Sequence, residues 1–133
     1  MNKILLLLAI FILLQITGAN SQYLIAVQNG NTVTLFSHLD SALNNANSGD
    51  TVYVPGGVWN IGTYQISKEI HIIGNGFHPD STKPGLLSRI AGQFQFRIGA
   101  TNSSFEGFEL NGSFVFIANE IIENICISRV KFE

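Results

Sequence analysis

FEGFEL (residues 105–110) and ISRVKF (residues 127–132) align at an offset of 22. Phe105 meets Ile127, Phe108 meets Val130 and Leu110 meets Phe132. In each copy an intervening pair, Glu106-Gly107 or Ser128-Arg129, breaks the apolar alternation. An unbroken strand would send Phe105 and Phe108 to opposite faces. A bend at the intervening pair puts both inside. A second offset, of 20, sets Phe94 and Phe96 over Phe114 and Phe116. A period of 20–22 built from strand, corner and strand predicts a β-solenoid rung, with like apolar residues stacked from rung to rung.

The preceding sequence supplies what such a stack needs at its first end. Residues 23–27 and 32–36 are β-type runs flanking the turn signal Asn29-Gly30-Asn31. A helix follows from Ser37, the expected N-cap, with Asp40 near its positive end. Leu39, Ala42, Leu43 and Ala46 fall at i, i+3, i+4 and i+7, so one stripe is apolar. Gly49 is available for a left-handed cap. SGDTVYVPGGVW (residues 48–59) then leaves the helix, starts a strand and turns a corner at Pro55-Gly56-Gly57. Open ends of a solenoid expose apolar side chains and unpaired edges, so the helix is placed as a lid over the first rung. Val52 with Val54, Ile70 with Ile72 and Phe94 with Phe96 mark further alternating strands.

FSHLDSALNNANSGDTVYVPGGVWNIG (residues 36–62) and ISKEIHIIGNGFHPDST (residues 66–82) resemble the N-terminal region of the pectate-lyase-like superfamily, in exported proteins of Bacteroidetes type. The resemblance covers residues 36–132. It implies an all-β, right-handed parallel β-helix (β-solenoid) with an N-terminal amphipathic capping helix. Catalytic groups of such enzymes lie on middle rungs, so the resemblance carries no catalytic residue onto this chain. Because the last strand ends at Phe132 with no second cap, the chain is expected to be the N-terminal part of a longer protein. The expected organisation is a signal peptide at 1–21, N-terminal strands at 22–36, the capping helix at 37–49 and rungs at 50–133.

The signal peptide is read from Lys3, the apolar run at 4–14 and the small residues Ala19 and Ser21 before the cleavage point. The run is shorter than the roughly 20 residues a membrane-spanning helix needs. The membrane is then met only during export, and the product is secreted or held at the cell surface. Removing 21 of 133 residues leaves 112, and losing Lys3 moves the formal charge from −2 to −3. That balance excludes the basic patch of a nucleic-acid binder. Cys126 is the single cysteine, so no internal disulfide forms. Charged residues are 12% of the chain, about half the usual share of roughly 25%.

Candidate chemistry is sparse. His78, Asp80 and Lys83 sit in the longest insertion, residues 74–87, and the adjacent strand carries His71 outward. These four are the candidate ligand-binding residues; no metal or cofactor is expected. Glu106 and Glu109 could pair as glycosidase or calcium-site carboxylates. The structural reading instead gives Glu109 an outward-facing charge pair with Lys131, which aligns with it at the offset of 22. Trp59 and Tyr64 are expected to pack near the helix rather than stack on a sugar. Cys126 is expected to face outward. The expected function is that of a scaffold or surface-contact module of an exported protein, associated with polysaccharide or surface glycan. Self-association through the uncovered last strand is also expected. A polysaccharide lyase or glycoside hydrolase with its active site beyond residue 133 is the alternative, and an adhesin stalk is a third.

Overall fold

The structure, a computed structural model, describes residues 23–76, 87–117 and 119–133. The expected signal peptide lies outside the described residues. So do His78, Asp80 and Lys83.

The chain begins with a hairpin of β1 (Ile25–Asn29) and β2 (Thr32–Phe36), joined by Gly30-Asn31, with Asn29 opposite Thr32. Helix α1 (Leu39–Asn45) follows and buries Leu39, Ala42 and Leu43. Its start differs from expectation. His38, not Ser37, is the N-cap, and it gives no side-chain cap bond. Instead the Asp40 carboxylate accepts the Ser41 N–H at 2.8 Å. At the other end Lys68 donates to the carbonyls of Ala46 and Asn44, which the helix itself leaves unused.

Six strands follow: β3 (Asp50–Val54), β4 (Gly57–Ile66), β5 (Ile70–Gly74), β6 (Ser88–Phe96), β7 (Ser104–Phe116) and β8 (Cys126–Phe132). Asp50 organises the first of them. Its side chain is 4% exposed, accepts the Asn29 amide at 2.7 Å and accepts the Asn47 N–H at 2.7 Å. One carboxylate therefore ties the hairpin turn to the helix exit. Hydrogen bonds to a charged acceptor are among the stronger kinds.

The architecture corrects the expectation of a right-handed parallel β-helix. The eight strands form one mixed sheet, curled into a half-barrel, in the order β2-β1-β3-β5-β7-β6-β4, with β8 also paired to β7. β1 runs antiparallel to both β2 and β3. The remaining pairs are parallel. The physical reason lies in β7. Its 13 residues run unbroken through the bend, pairing with β5 through 104–106 and with β6 through 109–116. Two ladders that a solenoid would keep on separate walls are thereby merged into one sheet. The offsets of 20 and 22 are the registers of neighbouring strands in that sheet: Phe94 on Phe114, Phe105 on Ile127, Phe108 on Val130.

The bend itself is where the sequence puts it. Gly107 has φ 73°, and Phe105 and Phe108 on either side are both fully buried. A Cβ at Gly107 would lie 3.1 Å from the Gly76 backbone, so the position combines left-handed geometry with close packing. Gly112 is tighter still: a Cβ there would sit 1.7 Å from the Gly92 carbonyl oxygen. The core is aliphatic along β3 and β5, where Val52, Val54, Ile70 and Ile72 lie, and aromatic along β6 and β7. There Phe94 and Phe96 flank Phe105 at centroid distances of 5.6 and 5.3 Å, the second edge-to-face. Trp59 and Tyr64 pack against this core, and the Trp59 indole donates to the Pro55 carbonyl at 2.9 Å.

Candidate functional site

Of the four candidate binding residues, His71 alone is described, and the structure gives it partners that were not anticipated. β5 and β7 are parallel neighbours with His71 opposite Ser104. The register is fixed from the buried side. The Ser103 hydroxyl, itself buried, accepts the Ile70 N–H at 3.0 Å. Because successive side chains alternate, locking Ser103 inward turns Ser104 outward beside the imidazole. His71 Nδ1 then lies 2.8 Å from Ser104 Oγ. On its other edge, His71 Nε2 lies 3.5 Å from the Glu69 carboxylate. His71 and Glu69 are 29% and 36% exposed, so the group is open to solvent and ligands.

The order carboxylate, imidazole, hydroxyl has a chemical direction. A carboxylate facing Nε2 favours the ring proton on that nitrogen. Nδ1 then carries the lone pair and accepts the Ser104 hydroxyl. The row continues on both sides: Thr51 on β3 is opposite His71, and Cys126 on β8 is opposite Ser104. Cys126 is exposed, as expected. Sequence reasoning missed Ser104 because it lies 33 residues from His71, an interval that matches neither offset.

A second polar group surrounds Glu109. Its pairing with Lys131 is present, at 3.3 Å, but the expectation of an exposed pair is corrected. Glu109 is 3% exposed and accepts the Arg89 Nε–H at 2.8 Å as well. Arg89 comes from β6 through the 20-residue register, Lys131 from β8 through the 22-residue one, and the two cations flank one carboxylate. Lys131 also donates to Glu133, and that bond raises the lysine above its ordinary value. The same bond holds the Glu133 carboxyl below its own. Arg89, Glu109 and Glu133 line a cavity of about 250 Å³ together with Ile90 and Ala91. With both oxygens of Glu109 held by cations, the group is built as an ion-pair network, not as an acid–base pair. Glu106 is likewise engaged, by the Arg129 guanidinium.

Among the described residues no group of three or more His, Cys, Asp or Glu is placed to hold a metal ion. No family model, no curated protein and no solved structure matches this chain.

Proposed function

We propose that the chain is a contact module of an exported protein and that it assembles with a second copy through the outer edge of β8. The carrying observation is that edge. Among the described residues β8 pairs only with β7, while Ile127 and Phe132 stand 39% and 54% exposed. An edge of unpaired backbone groups flanked by apolar side chains is a template for strand addition.

The strand also supports pairing with itself. In an antiparallel register with Arg129 of one copy opposite Val130 of the other, Ile127 meets Phe132 twice. The positive-φ bend at Arg129 falls on the two-fold axis, so each arm meets the other's opposite arm. Arg129 is drawn off the edge by Glu106, which keeps the two guanidinium groups apart. A strand of seven residues makes a small interface, in the weak and concentration-dependent class.

Sedimentation equilibrium of the mature chain tests this. A dimer that dissociates on dilution is expected, and Phe132→Lys should leave a monomer with an unchanged circular dichroism spectrum. A wild-type monomer at every concentration, or a dimer indifferent to Phe132→Lys, overturns it. Polysaccharide association belongs to the same reading as a property of the assembled surface, and the dimer test does not depend on it.

A further inference from the structure

The half-buried row Glu69–His71–Ser104 has no role in that assembly, and its geometry goes beyond a contact module. We propose that Ser104 is a nucleophile activated by His71 and oriented through Glu69, and that the site transfers the acyl group of a carboxylic ester to water.

Nucleophile and base lie 2.8 Å apart, within the 2.6–3.2 Å reach that proton transfer between them requires. The base is oriented in turn by a third group, since Glu69 faces the far nitrogen of the same ring. All three stand on or beside strands whose register is fixed by the buried bond from Ile70 to Ser103, so the constellation is held by the sheet. The imidazole presents Nδ1 to the hydroxyl and Nε2 to the carboxylate. The chemistry requires the nitrogen facing the hydroxyl to accept and the other to be held, which is the arrangement of Nδ1 and Nε2 that Glu69 favours.

The steps balance without any further reagent. Ser104 Oγ attacks the ester carbonyl carbon as its proton passes to His71 Nδ1. The carbon–alkoxy bond breaks, the leaving oxygen takes that proton, and an alcohol departs from an acyl-serine. Water then attacks the acyl carbon and gives a proton to Nδ1; the bond from the acyl carbon to Ser104 Oγ breaks, the carboxylic acid leaves, and Oγ takes the proton back from Nδ1. The site lies on an outward face, where an ester carbonyl can be laid on the sheet beside Ser104. Glu69 acts through the ring and is a positioning residue.

The experiment uses the mature chain carrying Cys126→Ala, because the thiol stands next to Ser104 in the row and would react with the same probes. Fluorophosphonate labelling is mapped by mass spectrometry, and p-nitrophenyl acetate hydrolysis is followed in parallel. Labelling at Ser104 is expected, lost in Ser104→Ala and slowed about 100-fold in His71→Gln. Glu69→Gln should lower kcat about tenfold with KM unchanged, a split that a merely structural carboxylate would not produce. His71→Gln keeps a polar side chain in the strand and serves as the second variant if Ser104→Ala fails to fold. Absence of label on Ser104 in the folded chain, or hydrolysis unaffected by both variants, overturns the proposal.

Discussion

Leu39 and Leu43 of α1 are at most 1% exposed, whereas Ile127 and Phe132 of β8 are 39% and 54% exposed. The helix and the last strand carry similar apolar side chains and place them oppositely. At the first end a helix covers the core, and an antiparallel hairpin pairs with β3. Asp50 bonds to both the hairpin turn and the helix exit. At the far end β8 lies against β7 with its outer side uncovered among the described residues. Burial of a leucine or phenylalanine side chain is worth about 1.5–3 kcal/mol. Burial at the first end therefore contributes stability, whereas Ile127 and Phe132 contribute little of theirs.

The sharpest way to break this contrast is Leu43→Asp. The substitution removes a fully buried side chain and puts an unpaired charge under the helix. Loss of more than about 4 kcal/mol is expected, most of the stability of a domain this size. Urea denaturation followed by circular dichroism measures it. A change below about 1 kcal/mol would mean that α1 does not cover the core.

The matching substitution at an exposed apolar side chain is Phe116→Asp. Phe116 stacks on Phe96 at 4.7 Å but is more than half exposed, so its carboxylate replacement reaches water. About 1 kcal/mol should be lost, chiefly the aromatic pair. The same urea titration checks it, and a cost equal to that of Leu43→Asp would erase the difference between buried and exposed side chains.

Local features of the fold were legible because the signals that set them are local. Asn29-Gly30-Asn31 marks the hairpin, the i, i+3, i+4 stripe marks α1, and Gly107 between Phe105 and Phe108 marks the bend. The offsets gave the correct partners within β6, β7 and β8 because each is a direct register. What they could not give is how ladders join. Nothing at residues 104–116 shows that one strand will serve both β5 and β6 and close the walls into a single curled sheet. The site failed for the same reason. His71 meets Ser104 across the junction of two ladders, at an interval of 33 that no repeat contains. Glu109 was paired correctly with Lys131, but Arg89 reaches it through the other register, and only both cations together account for its burial.

The smallest effect is expected at Tyr64, where β4 meets the helix. Burial holds the Tyr64 phenol above its ordinary value, and the Asp40 carboxylate on α1 adds to the shift by repelling phenolate. In the unfolded chain the phenol titrates at about pH 10. A group whose value is raised on folding contributes stability that is fully present below that pH and lost as pH climbs through the folded value. Tyr64→Phe should therefore differ from wild type by no more than about 0.5 kcal/mol at neutral pH, and lose less stability on going to about pH 11. Paired urea titrations at the two pH values read the difference directly. Because Asp40 sits on α1, the alkaline loss is a property of the covered end. Parallel pH curves for the two proteins would show that the phenol is not shielded there, and that the helix covers less of β4 than the contrast requires.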